Sequence, residues 1–373
     1  MRTRRERWLA GALVALLGLL SAAPPVLAAP DGDPLPAGVP APDVETGGAP
    51  GLTTAELEKA VSDNPAALWA SVLGKVLPAV IGGVLLIRMA LAREKRLADG
   101  LGRLELGAGP TVPGTWPVLL GLVVGFVLLA QIAASAVQLM GFEAHSTPAL
   151  FWATAIPGVA LGVAVLLLRR QARRSEPAFE VRGVEAVFGD EVHLFEGPRA
   201  TRGDIAVQVP RRTPHGRAVF EGLKGFALAS ALVIPLALVW ALVLRELGVG
   251  TTAQEPVMRV AKPGDPLDPW FMAVLGIFVA PFWEEAFFRG TLYPLARRWF
   301  GGTRGAVLTS ALISSALFAA VHANLAATVP LFVLALVLTW VFERTNSLLA
   351  VTTLHAAFNA TSLLPLFLIS GKV

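Results

Sequence analysis

Residues 269–298 read PWFMAVLGIFVAPFWEEAFFRGTLYPLARR. A helix of this length and apolarity is enough to cross a lipid bilayer, which takes about 20 predominantly apolar residues. Between Trp270 and Ala296 its only charged residues are Glu284, Glu285 and Arg289. A charge at the centre of a bilayer costs about 2.5–3.5 kcal/mol on insertion scales, so it is as a rule paired and functional. Glu285 and Arg289 lie four residues apart with the acid first, the favourable order for an ion pair on one helix face. Glu284 points about 100° away from that pair. It is the carboxylate left over. The competing reading of this triplet is one structural ion network.

The rest of the chain has the same character. Of its 373 residues 54% are hydrophobic and 16% charged, and the mean hydropathy is +0.63. A soluble domain carries about 25% charged residues, so the chain reads as an integral membrane protein. The fold class expected is all-α, a polytopic bundle of about eight transmembrane helices near 67–91, 116–140, 148–168, 220–244, 269–298, 304–322, 325–342 and 347–369. Thirty-one basic against 27 acidic residues leave a formal charge of +4. That excess belongs in cytoplasmic loops and is no argument for a nucleic-acid partner. The absence of cysteine excludes disulfides, thiolate nucleophiles and thiolate metal sites.

The loops set the orientation. Arg88 to Arg103, Arg169 to Arg174 and Arg297 to Arg304 follow the first, third and fifth spans, and the alternate loops are mixed or acidic. The positive-inside rule then puts both ends outside the cytoplasm. Residues 1–29 read as a signal peptide or N-terminal anchor, with Arg2, Arg4, Arg5 and Arg7 ahead of an apolar run. Residues 30–65 read as a disordered extracytoplasmic linker rich in Pro and Gly. Residues 66–170 hold three accessory transmembrane helices, 171–217 form a cytoplasmic polar insert with short alternating pieces at 179–184 and 205–209, and 218–373 make the core. The localisation expected is a bacterial-type plasma (inner) membrane, multi-pass.

Two further motifs carry chemistry. The sixth span ends in Phe318-Ala-Ala-Val-His322, and the eighth contains His355-Ala-Ala-Phe-Asn359, whose two polar side chains stack on one helix face. Rise along each helix puts Glu284 about 21 Å from the cytoplasmic end, His322 about 27 Å, and His355 and Asn359 about 12–18 Å. Three helices therefore deliver polar groups to one broad level inside the membrane. The set suits hydrolysis of an amide or ester. A buried carboxylate and a nearby imidazole can share a proton, so Glu284 with His322 can deprotonate a water. His355 and Asn359 can donate hydrogen bonds to the oxyanion that forms.

Glu284-Glu285-x-x-x-Arg289, Phe318-x-x-x-His322 and His355-x-x-x-Asn359, in this order, resemble the three motifs of the CPBP family. That family comprises CAAX prenyl endopeptidases (type II, or ABI) and bacteriocin-processing or bacteriocin-resistance proteins. The resemblance covers about residues 220–370. It implies an all-α membrane fold and glutamate-dependent intramembrane endopeptidase activity, with Glu284, Glu285, Arg289, His322, His355 and Asn359 as site residues. In that reading Arg289 holds Glu285 in place, no cofactor is required, and the partners are the bilayer and a membrane-embedded or membrane-associated peptide or protein substrate. Prenyl specificity does not transfer.

Two alternatives stand beside it. Glu284, His322 and His355 suit a three-ligand zinc site with an open position, although Asn359 is a poor zinc ligand and there is no His-Glu-x-x-His. A non-enzymatic membrane scaffold, transporter or bacteriocin-resistance protein would instead use the polar residues to line a path or join helices. A transporter should show inverted repeats or matching broken helices, and the sequence shows neither.

Overall fold

The computed structural model describes residues 54–98, 116–143, 146–175, 213–249, 255–300 and 304–371. The signal segment and most of the expected linker and polar insert, including both alternating pieces, lie outside the described residues. Within them the chain is helical and has no strand. The helices are α1 (Thr54–Asp63), α2 (Pro65–Ala98), α3 (Trp116–Leu139), α4 (Thr147–Ser175), α5 (His215–Glu246), α6 (Glu255–Ala261), α7 (Asp268–Trp299), α8 (Arg304–Val321), α9 (Leu325–Thr345) and α10 (Leu348–Ile369).

Seven of them, α2 to α5, α7, α9 and α10, are long and apolar enough to cross a membrane. The stretch expected as a further span, 304–322, is the shorter apolar helix α8. The protein is a multi-pass membrane helix bundle. Its outer surface fits that setting: Leu73, Val76, Leu77, Val80, Ile81, Val84 and Ile87 of α2 are all exposed, an apolar face that water would not tolerate at this size.

The end of the expected linker departs from the sequence reading. Residues 54–63 form α1, because Leu57, Ala60 and Val61 recur at helical spacing and pack against Val260, Met272, Leu363 and Ile369.

Helix α7 is the hub. Its Phe287, Phe288, Leu292 and Leu295 meet Leu119 and Val123 of α3, Leu161 and Val165 of α4, Leu317 and Phe318 of α8, and Ala335 of α9. A second core joins α5, α9 and α10 around Leu334, Leu338, Phe342, Val351 and Leu354. Helices α9 and α10 are antiparallel neighbours across a short turn in which Asn346 takes a left-handed φ of 45° and Ser347 caps α10.

Two π turns, Leu275–Val279 and Phe288–Leu292, interrupt α7. Each ends two residues before a proline, Pro281 or Pro294. A proline ring crowds the carbonyl four residues back and offers no N–H, and the widened turn relieves that crowding. The amides of Ala280 and Tyr293 accordingly donate to carbonyls five residues back, Leu275 and Phe288. Between the two turns, Ala280–Phe287 carries Glu284 and Glu285.

Candidate active site

The inner layer of the site is fully buried. Arg289 Nη1 donates to Glu285 Oε1 at 3.0 Å, with both side chains inaccessible. Arg289 Nη2 donates to the carbonyl of Ala335 at 3.0 Å, so the guanidinium ties α7 to α9. Its flat face lies over the Phe318 ring, 4.7 Å from the centroid, a cation–π contact that adds α8. From α10, His355 Nδ1 lies 2.9 Å from Glu285 Oε1. A carboxylate only accepts, so Nδ1 carries the proton and donates. The pairing that the four-residue spacing predicted is therefore present, and a histidine from another helix completes it.

The other edge of His355 faces Glu284. Nε2 lies 3.9 Å from Glu284 Oε2, within ion-pair range and beyond hydrogen-bond length. Glu284 Oε2 makes no hydrogen bond to any protein group. Glu284 retains a small accessible surface, 12% of its side chain, whereas Glu285 has none. The two adjacent carboxylates thus stand in different environments: Glu285 is fixed through Oε1 by Arg289 and His355, whereas Glu284 keeps a small accessible surface and has a buried Oε2 with no partner.

His322 closes α8. Its Nδ1 lies 2.7 Å from the Phe318 carbonyl, so that nitrogen donates and Nε2 keeps its lone pair. The ring packs 4.9 Å from that of Phe318, which also meets the His355 ring at 5.6 Å. Phe318 is the apolar spacer that sets both imidazoles and Arg289. The residue after His322 is Ala323, held at a φ of 46°, a left-handed conformation that costs an alanine about 1 kcal/mol or more. Asn324 then caps α9 by accepting from the Ala327 amide at 3.0 Å. The histidine is held on a tight, strained corner.

Asn359 is one turn beyond His355, and its Nδ2 donates to the carbonyl of Gly276 at 2.7 Å. That carbonyl needs an outside donor. Ala280, its partner in a regular helix, bonds Leu275 instead, and Pro281, its partner in a π turn, has no N–H. One N–H of Asn359 therefore pins the first π turn of α7, and the second is left for other work. Replacing Asn359 with Ala should strand the Gly276 carbonyl and lower thermal stability in detergent by about 1–3 kcal/mol. A melting curve superimposable on that of the parent protein would show that this bond has no structural weight.

All six residues singled out from the sequence belong to this region. Glu284, Glu285, Arg289 and His355 are in direct sequence of contact, His322 joins through Phe318, and Asn359 braces the same helix α7. Three contributors escaped the sequence reading. The carbonyls of Ala335 and Gly276 are backbone groups with no residue-type signal, although Pro281 five residues after Gly276 was a visible clue. Arg169 looks like the first residue of a basic loop, yet it is only 4% exposed. Its Nη1 donates to the carbonyl of Gly290 and its Nη2 to Asn346 Oδ1, both at 3.1 Å. Pro294, four residues after Gly290, explains why that carbonyl is open.

Among the described residues, no three His, Asp or Glu side chains are grouped to hold a metal ion. Of the residues in the zinc alternative, His355 and His322 are engaged through Nδ1, by Glu285 and by a carbonyl, and those bonds leave the Nε2 of each unused.

Residues 266–361 match the family model described as type II CAAX prenyl endopeptidase, Rce1-like. This segment is similar to Rce1-like domains. It spans α7 to α10 and contains all six site residues. The comparisons with curated proteins and with solved structures gave no match. The Rce1-like domain supports the CPBP resemblance carried by the three motifs, and the family is one of membrane proteases. Helices α1 to α6 lie ahead of the matched stretch.

Proposed function

We propose that this protein is an intramembrane glutamic endopeptidase of a bacterial-type plasma membrane, acting on a membrane-embedded or membrane-associated peptide or protein. The observation that carries this reading is the His355 imidazole held between two carboxylates: Glu285, inaccessible and bonded through Oε1 to Arg289 and His355, and Glu284, whose side chain keeps a small accessible surface and whose buried Oε2 has no hydrogen-bond partner. A purely structural ion network would pair Glu284 as closely as it pairs Glu285 through Oε1.

The chemistry assigns itself by accessibility. Glu285 and Arg289 form the foundation, His355 joins it to the reacting centre through its Nε2 edge, and Glu284, His322 and Asn359 face the reacting atoms. Glu284 Oε2 accepts a proton from water as the water oxygen attacks the scissile carbonyl carbon, with the lone pair on His322 Nε2 helping to orient that water. Negative charge grows on the carbonyl oxygen. The free N–H of Asn359 and the Nε2–H of His355 donate to it. His355 takes this role as the imidazolium, with Nδ1–H on Glu285 and Nε2–H directed to the oxyanion. The carbon–nitrogen bond then breaks, and Glu284 returns its proton to the departing amine. No step needs a cofactor.

The test is cleavage of a quenched-fluorescent peptide library by detergent-purified protein, with and without a strong chelator. Cleavage unaffected by the chelator is the expected result. Loss of cleavage with the chelator would replace this mechanism by a metal-dependent one, and full complementation of a deletion strain by a Glu284→Gln variant would point to a scaffold.

A further inference from the structure

We propose that α4, which precedes the Rce1-like domain, is a positioning element of the reacting centre: a glycine notch on it seats the residues beside Glu284, and Arg169 fixes the turn beyond. The inference rests on the peptidase reading for its catalytic consequence, and on packing alone for its geometry.

The segment that carries Glu284 and Glu285 is eight residues between two π turns. Neither turn is a regular continuation of the helix, so its rotation and height are not dictated by the helix ends and must come from neighbours. Helix α4 supplies two of them. Gly158 and Gly162, four apart on one face, take the side chains immediately before Glu284. A Cβ on Gly158 would stand 2.6 Å from Trp283 Cδ1, and one on Gly162 would collide with the Phe282 ring. Only glycine permits that approach, as in other close helix contacts within membranes. By contrast, Gly83 of α2 and Gly121 and Gly125 of α3 have nothing within 4 Å of such a Cβ, and the other close approaches, at Gly82, Gly222 and Gly225, are to Ala227, Ala350 and Leu354 rather than to the Glu284 segment.

The Trp283 ring is held from its other side by Phe126 of α3, with centroids 5.0 Å apart, and its buried Nε1 makes no hydrogen bond. Shape alone fixes it. Seven residues beyond Gly162 on the same stripe, Arg169 donates to the Gly290 carbonyl that Pro294 leaves open. The two supports lie about 10 to 16 Å apart along α4. They bracket the segment from Phe282 to Gly290 and splint α7 across its second π turn. A misplacement of about 1 Å at a reacting group can cost 10²-fold in rate, which makes such a splint matter.

The experiment uses the full chain with Gly158→Val, Gly162→Leu and Arg169→Met, and with Gly121→Leu and Gly125→Leu as controls. In peptide hydrolysis, kcat per folded molecule should fall at least about tenfold in the α4 variants with KM little changed, and stay at the parental value in the controls. A milder Gly158→Ala loss should be relieved by adding Trp283→Phe, which returns the volume. A second arm needs no activity. The chain has no cysteine, so Glu284→Cys with His355→Cys can be bridged by a short bis-thiosulfonate reagent. Bridging should drop severalfold when Gly162→Leu is added and stay unchanged with Gly121→Leu. If the parent protein cleaves nothing, the peptidase reading fails and the bridging arm alone decides the geometry. Unchanged bridging with Gly162→Leu, or unchanged kcat beside reduced bridging, overturns the positioning role.

Discussion

Glu284→Gln should reduce peptide hydrolysis by about 10²–10⁴-fold while the protein still accumulates in the membrane, because a positioned general base contributes a factor of that size. The substitution is nearly isosteric and keeps one oxygen, so packing in Ala280–Phe287 is retained. What it removes is the ability to take a proton from water. Glu284 Oε2 has no hydrogen-bond partner in the protein, so its loss strands no buried donor. The expected stability change is accordingly small, well under that of changing Glu285. Rates measured on detergent-purified variant and parent, normalised to folded protein by size-exclusion chromatography, check this. Hydrolysis within threefold of the parent would remove Glu284 from the mechanism.

Arg289→Ala should act on the fold first, with a loss of about 3–5 kcal/mol, the range found when one partner of a buried ion pair is removed. Three contacts disappear together. Glu285 loses its 3.0 Å ion pair while remaining inaccessible, the Ala335 carbonyl loses its donor, and the Phe318 face loses its cation. Arg289→Lys should not rescue it, since a single ammonium cannot reproduce the fork that serves a carboxylate and a carbonyl at once. The exposed pair Lys224–Glu221 supplies the comparison, with side chains 37% and 27% accessible. Lys224→Ala should change stability by no more than about 1 kcal/mol. Thermal unfolding of both variants in one detergent decides the matter, and equal small shifts would contradict the foundation role of the buried pair.

Membrane class, helix positions and the six candidate residues that the structure gathers in one region were legible because each leaves a local mark. A charge in a long apolar run is conspicuous, and four-residue spacing identifies a shared helix face for Glu285 with Arg289 and for His355 with Asn359. Pairing between helices was not legible, since it depends on how each helix is rotated in the bundle. Hydrolytic chemistry suggested Glu284 beside His322, whereas the imidazole within ion-pair range of Glu284 is His355. The prolines at 281 and 294 stand plainly in the sequence. That they insert π turns whose open carbonyls are filled by Asn359 and Arg169 is a tertiary fact. Arg169 at the end of an apolar run reads equally well as a snorkelling loop residue or a buried splint, and only its neighbours decide. Residues 54–63 were masked by the Pro- and Gly-rich composition before them, although the Leu57, Ala60, Val61 spacing already had helical period.

The central claim is that one water is activated jointly by Glu284 and His322 on a foundation of Glu285 and Arg289, with His355 joining that foundation to the reacting centre. Its most direct test is the rate of peptide hydrolysis by Glu284→Gln, His322→Ala and the double variant, each against the parent protein. Groups that act as a unit are strongly non-additive. The account predicts that each single substitution costs about 10²–10⁴-fold and that the double variant is no slower than the worse single one. Losses that multiply, or a Glu284→Gln enzyme that keeps its rate, would contradict it.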